Sequence, residues 1–108
     1  MIGRASVSQA SFSVDNSYVF LTPLRAKANS QERIRVTVFV LNNQGLGVLG
    51  KSVTIGNDPN LTIEGIKART DNYGKATYDI SSSKPGEYFL EIKIEDTLLP
   101  QKAHLSFY

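Results

Sequence analysis

Apolar and polar residues alternate along most of this chain, with the period of two that is typical of β-strands. The clearest run covers residues 33–41, in which Ile34, Val36, Val38 and Val40 share one face. Because successive side chains of a strand point to opposite faces, these four residues are predicted to lie in the core. No stretch of the sequence has the period of an amphipathic helix.

The same alternation predicts further short strands, separated by turns rich in Asn, Asp and Gly. About seven antiparallel strands in one small domain favour an all-β, immunoglobulin-like (Ig-like) sandwich in which strands A, B, E and D pack on C, F and G. The predicted strands besides 33–41 are a first strand at Phe12 and Val14 that is broken at 15–17 and resumes at 18–21, then 51–55, 61–70 with a bulge at Gly65, 75–80, 88–94 and 103–107.

A second feature supports this architecture. Tyr88 follows Pro85-Gly86 at the predicted start of strand F, where an Ig-like domain places a tyrosine whose hydroxyl bonds back to the preceding corner. The position two residues later, which holds a disulfide cysteine in antibody domains, is Leu90, and its expected partner on strand B is Val36 or Val38. The chain has no cysteine, so aliphatic packing is predicted to replace the disulfide.

Length and charge set limits on the class of protein. The 108 residues correspond to one small domain, and residues 1–10 are expected to form a flexible N-terminal segment before a domain that covers 11–108. The net charge of +2 comes from residues spread along the chain, so a nucleic-acid interface is not expected. No stretch has the apolar length of a membrane span, and direct membrane insertion is not expected either.

Few residues of the sequence suggest a catalytic site. His104 is the only histidine, and its strand phase points it outward, away from any obvious nucleophile. Gly45, Gly47 and Gly50 resemble a phosphate-binding loop only superficially, because no helix follows them. Phe39 and Phe89 are both in outward phase and are expected to be isolated surface aromatics. The chain is therefore predicted to be a non-enzyme without a cofactor.

Three turn motifs carry a resemblance to a known family. They are Asn42 to Ile55, Thr70 to Thr77, and Pro85 to Tyr88, in this order along the chain. They resemble the repeating bacterial Ig-like domain of invasin-type and intimin-type surface proteins. The resemblance implies a secreted or surface-anchored module, often in tandem, that acts as a rigid spacer or an adhesive unit without catalytic residues.

In an Ig-like sandwich the B–C, D–E and F–G loops meet at one end, and here that end is apolar. Its side chains could fold inward and plug the core, contact a neighbouring domain or partner, or bind a ligand. A Ca²⁺ site built from Asp71, Glu95 and Asp96 is a weaker rival, because Ca²⁺ needs about six or more oxygens in fixed geometry. The apolar residues proposed as contacts are Leu46, Val48, Leu49, Tyr73, Leu98 and Leu99.

The resulting hypothesis is a non-enzymatic Ig-like module, extracellular or on the cell surface, that works as a spacer or adhesion unit. Its expected partners are neighbouring Ig-like domains or a cell-surface ligand. The alternative is a module that binds carbohydrate or another surface ligand through the B–C, D–E and F–G loops. Residues predicted to have structural roles are Tyr88, Leu90, Val38, Gly45, Gly74 and Gly86.

Overall fold

The computed structural model describes residues 11–108, and all regular secondary structure in that range is β-strand. The predicted N-terminal segment 1–10 lies outside the described residues. In 11–108, no helix is long and apolar enough to cross a membrane. The ten strands are β1 Tyr18–Thr22, β2 Arg25–Ala26, β3 Ile34–Phe39, β4 Val53–Ile55, β5 Leu61–Lys67, β6 Lys75–Ser82, β7 Gly86–Leu90, β8 Ile92–Ile94, β9 Thr97–Leu98 and β10 Ala103–Phe107.

The strands form the two layers of a sandwich. One is a four-stranded antiparallel sheet in the order β1, β3, β6, β5, which is the A-B-E-D order predicted from the sequence. The other layer contains two three-stranded sheets, one in the order β2, β10, β7 and the other in the order β4, β8, β9. In this layer β4 corresponds to strand C, β7 and β8 to strand F, and β10 to strand G. The Ig-like fold class is confirmed.

Alternation decides which side chains fill the space between the layers. Ile34, Val36 and Val38 of β3 are fully buried, and Leu90 of β7 lies in the same core. Burying such an aliphatic side chain stabilises the fold by about 1.5–3 kcal/mol. Aliphatic side chains are therefore packed at the positions where an antibody domain has its disulfide, as the sequence predicted.

The Tyr88 hydroxyl closes the connection between β6 and β7. It donates to the carbonyl oxygen of Lys84 at 2.8 Å, and the ring meets that of Phe107 edge-on with centroids 6.2 Å apart. This is the tyrosine corner predicted from the motif before strand F.

A second buried tyrosine links the two layers. The hydroxyl of Tyr78, on β6, donates to the carbonyl oxygen of Val53 on β4. The pairing of β5 with β6 shifts register between Gly65 and Lys67, which is the bulge predicted at Gly65, and the Tyr78 ring lies beside Gly65. Burial raises the pKa of Tyr78 above its ordinary value, which further favours the protonated hydroxyl that donates this bond.

Two strand predictions are wrong. Phe12 and Val14 form no strand but lie half-buried against the core, before a turn in which the Ser17 N–H donates to the Ser13 carbonyl. The predicted strand 88–94 is two strands, because Glu91 separates β7, which pairs with β10, from β8, which pairs with β4. Alternation persists through that change of partner, so the pattern alone could not reveal it.

The prediction that Phe39 and Phe89 are isolated is also wrong. Phe39 stacks on Tyr18 with ring centroids 4.9 Å apart, and Phe89 stacks on His104 at 4.5 Å. Both contacts join residues directly opposite each other on neighbouring strands. The two aromatics therefore belong to cross-strand pairs, which stabilise sheets.

Candidate functional site

The B–C loop is shaped by one side chain. The Oδ1 atom of Asn42 accepts hydrogen bonds from the backbone N–H groups of Gln44 at 2.9 Å and Leu46 at 3.0 Å. The Gly45 N–H donates to the Asn42 carbonyl, which closes the turn. This turn leaves Leu46 exposed at its tip.

The D–E turn is ordered in the same way, here by a carboxylate that accepts hydrogen bonds from backbone N–H groups. The Oδ1 atom of Asp71 accepts from the N–H groups of Tyr73 and Lys75, both at 2.9 Å. These bonds, that from Lys75 first, hold the pKa of Asp71 below its ordinary value. Tyr73 is presented at the tip of the turn, with 75% of its surface exposed.

The two loops are locked together by close backbone contact. The Val40 N–H donates to the Gly74 carbonyl at 2.7 Å. A Cβ atom on Gly74 would lie 2.3 Å from the Val40 oxygen, and one on Gly47 would lie 2.3 Å from the Tyr73 backbone. Gly74 also has a φ of 76°, which favours glycine. The sequence identified Gly74 as structural, and the reason is this contact between loops.

A buried threonine and a glutamate make further hydrogen bonds between the loops at this end of the sandwich. The Thr70 hydroxyl donates to the Val48 carbonyl at 2.6 Å and accepts from the Lys51 N–H at 2.8 Å. The Glu95 carboxylate, in the turn between β8 and β9, accepts from the Ser52 N–H at 2.7 Å. All three loops thus lie at one end of the sandwich, as predicted. The sequence did not identify either residue as an anchor: Thr70 opens one of the turn motifs and Glu95 was considered only as a Ca²⁺ ligand, and neither position reveals which backbone groups its side chain binds.

The predicted contact residues divide into two groups. Val48 and Leu99 are 2% and 3% exposed and belong to the core, so the prediction that they supply contact surface is wrong. They fold inward because the open end of the sandwich needs apolar filling. The other four side chains are exposed, and we call them the loop-end patch: Leu46, Leu49, Tyr73 and Leu98.

The rival Ca²⁺ site is not assembled. Asp71 uses a carboxylate oxygen to order backbone N–H groups of its own turn, and the Glu95 carboxylate accepts from the Ser52 N–H of the B–C loop. Within residues 11–108, no group of three or more acidic or histidine side chains converges on a common point. Asp71, Glu95 and Asp96 are therefore not brought together as a ligand set.

A serine, a histidine and a glutamate meet on the outer face of β7 and β10, but in the wrong order for a catalytic triad. The Ser106 hydroxyl donates to Glu87 at 2.8 Å, while the other Glu87 oxygen lies 2.6 Å from His104 Nε2. These contacts, with Ser106 first, lower the pKa of Glu87. Nucleophilic catalysis needs the imidazole, not the carboxylate, to receive the serine proton. The group is an exposed polar cluster.

A cleft of about 450 Å³ opens between β4 and β5. Ile55, Ile63 and the Tyr78 ring contribute apolar walls, and Thr54 and Asn57 contribute the polar atoms. No carboxylate, lysine, arginine or histidine lines it. The cleft offers no group suited to general acid or base catalysis near neutral pH.

The two-layer sandwich, its A-B-E-D sheet and the Tyr88 corner define an Ig-like domain. The profile of the bacterial Ig-like domain (group 1) family matches residues 16–108. The chain belongs to this family.

Several solved structures share this fold. Invasin, described as a bacterial integrin-binding protein, superposes with a TM-score of 0.77 at 14% identity, over 90% of this chain and 20% of invasin. An intimin fragment, in complex with the intimin-binding domain of the translocated intimin receptor, gives 0.71 at 24%, over 91% and 33%. The Yersinia pseudotuberculosis adhesin InvE gives 0.69 at 19%, over 92% and 28%.

The chain therefore spans between one-fifth and one-third of the length of these structures. A comparison with curated protein sequences gives no significant match.

Proposed function

We propose that this domain is a non-enzymatic module of a bacterial surface or exported protein, working as a rigid spacer or adhesion unit. Its family membership supports this role, as do the names of the proteins that share its fold: an integrin-binding protein, a receptor-bound intimin and an adhesin. The exposed chemistry agrees, because the only Ser-His-Glu cluster found in residues 11–108 has the wrong connectivity for catalysis.

The first and last described residues lie at opposite ends of the sandwich, and this arrangement supports the spacer role. At one end, the Ser13 N–H donates to the Leu41 carbonyl, and the Asn16 side chain donates to Asn42. At the opposite end, the Tyr108 N–H donates to the Ala26 carbonyl. The described residues extend 55 Å along their longest axis and 20 Å along each of the others. Copies joined end to end would therefore lie in line.

The loop-end patch supplies the contact surface of this proposal. It lies at the end where Ser13 and Asn16 meet the B–C loop, so a domain that precedes this one in the chain would abut it. Exposed apolar side chains gathered at one place typically mark contact sites. Burying them against a neighbouring domain would limit bending at the junction.

Small-angle X-ray scattering on two copies of the chain joined in one polypeptide tests this function. A rigid spacer predicts a maximum dimension near twice that of one copy and a scattering profile of a stiff rod. Replacing Leu46 and Leu49 with serine in the second copy should increase bending, while Phe89→Ser, an exposed change far from the junction, should not. A compact or freely bending pair with the native residues would contradict the proposal.

Ligand binding at the same end is the second candidate, and the exposed Tyr73 ring favours it. An aromatic face beside polar loop atoms is suited to stacking on a sugar ring or packing on a protein partner. Screening the chain against a glycan array, with Tyr73→Ala as the matched variant, tests this candidate. Binding that Tyr73→Ala abolishes would favour it, and binding that the variant leaves unchanged would exclude Tyr73 from the site.

A further inference from the structure

Strand β1 has the composition of a strand that pairs readily with another chain. It lies at the edge of the four-stranded sheet, and its residues Tyr18–Thr22 carry no charge and consist mainly of aromatic and aliphatic side chains. Tyr18 and Phe20 are about half exposed on the outer face. Uncharged edge strands rich in such residues are templates for edge-to-edge association.

The other edge of this sheet shows the usual protection, and β1 lacks it. Strand β5 carries Glu64 and Lys67 and is interrupted by a bulge between Gly65 and Lys67. Charges and bulges on an edge strand discourage pairing with a further strand. Strand β1 has no charge and no bulge; Pro23 directly follows it, and β10 of the opposite layer approaches it.

One side chain occupies the free edge of β1. The Gln101 Oε1 atom accepts from the Val19 N–H at 3.2 Å, and its Nε2 atom donates to the Val19 carbonyl at 3.3 Å. These are the two hydrogen bonds that a residue of an added antiparallel strand would make. Gln101 follows β9 and belongs to the opposite layer, so its carboxamide also joins the two layers.

We propose that Gln101 is an edge cap that prevents β1 from pairing with β1 of a second copy of the chain. Without the carboxamide, the Val19 N–H and carbonyl become available to a neighbouring strand. Two β1 strands could then pair antiparallel about a twofold axis and join the two sheets into one. No like charges oppose this pairing, and Tyr18 and Phe20 of both copies would lie along the junction.

Sedimentation velocity on Gln101→Ala over a range of concentrations tests the proposal. The native chain and the control Gln31→Ala, an exposed loop change at the other end of the domain, should remain monomeric. Gln101→Ala should show a concentration-dependent rise in weight-average mass that reaches a doubling. Should Gln101→Ala fold poorly, Gln101→Asn, whose shorter side chain cannot reach Val19, should show the same association. A folded variant that stays monomeric overturns the proposal.

A second substitution locates the association. Phe20→Lys places a charge on the exposed face of β1, so adding it to Gln101→Ala should restore the monomer. Association that persists in the double variant would show that the chains meet elsewhere and would contradict an edge cap at β1. Unfolding in urea, measured on each variant, separates edge pairing of a folded domain from aggregation of an unfolded one.

Discussion

Leu90 and Phe89 are neighbours in sequence, but they face opposite sides of β7. Leu90 is 4% exposed in the core, whereas Phe89 is 60% exposed and contacts His104. Leu90→Ala should lower the free energy of unfolding by about 2–5 kcal/mol because it leaves a cavity in a packed core. Phe89→Ala should cost far less. Chemical denaturation of both variants measures the difference, and a larger loss for Phe89→Ala would mean that the faces of the strand are reversed.

Removing the Tyr88 hydroxyl should have a smaller effect on stability than truncating Leu90. Tyr88→Phe removes the hydrogen bond to the Lys84 carbonyl and the longer one, of 3.4 Å, that the hydroxyl accepts from Ser82 Oγ, and should lower the free energy of unfolding by about 1 kcal/mol with the fold retained. Tyr73→Phe is the matched control, since Tyr73 is largely exposed and should lose almost nothing. Equal unfolding curves for the two variants would show that the hydrogen bond of the tyrosine corner does not stabilise the fold.

Asp79 makes the stability of the domain depend on pH. The Arg35 guanidinium, through two hydrogen bonds of 2.8 and 3.0 Å, holds the pKa of Asp79 below its ordinary value of 3.8. A carboxyl whose pKa is lower in the folded state stabilises the fold above its unfolded pKa, and this contribution is lost as the pH falls through the folded pKa.

Unfolding in urea at a series of pH values should therefore show stability decreasing below about pH 4, the unfolded range of an aspartate. Asp71 and Glu87 act with the same sign. Asp79→Asn should make the decrease shallower, and a variant as acid-sensitive as the native chain would show that the Arg35 pair does not contribute.

At the scale of elements, the contact between the B–C loop and the D–E turn holds the loop end in place. Gly74→Ala should destabilise the domain strongly, because it combines a positive φ with a Cβ 2.3 Å from the Val40 oxygen. Gly50 is the matched control: its φ is 82°, but a Cβ there meets nothing within 4 Å. Gly50→Ala should cost about 1–2 kcal/mol from backbone strain alone. Equal losses in thermal unfolding would argue against the loop contact.

The elements also show how far the sequence predicts the structure. Alternation in β3 and β10 identified the core face correctly, because a strand with one buried face has a fixed period. It could not reveal that Val48 and Leu99 are buried while Leu46 and Leu98 are exposed, since loop residues follow no period. Gln101 was missed for a related reason: its role depends on the opposite layer, which brings it beside Val19 over a long sequence separation.

At the scale of the whole molecule, the central claim is that this Ig-like domain presents an exposed contact surface at the loop end. The adjacent pair Leu98 and Leu99 gives the most direct test, because the two residues share their chemistry and differ in burial. The measurement is the thermal unfolding midpoint of the Leu46→Ser/Leu98→Ser double variant, with Leu99→Ser as the comparison.

The account predicts a midpoint nearly equal to that of the native chain for the double variant, and a clear decrease for Leu99→Ser, since only the latter removes apolar area from the core. A midpoint that is unchanged by added Ca²⁺ agrees with a contact surface rather than an ion site, because a bound ion would raise it by mass action. A large decrease in the double variant would show that Leu46 and Leu98 plug the core, and would leave the domain without the contact surface proposed for it.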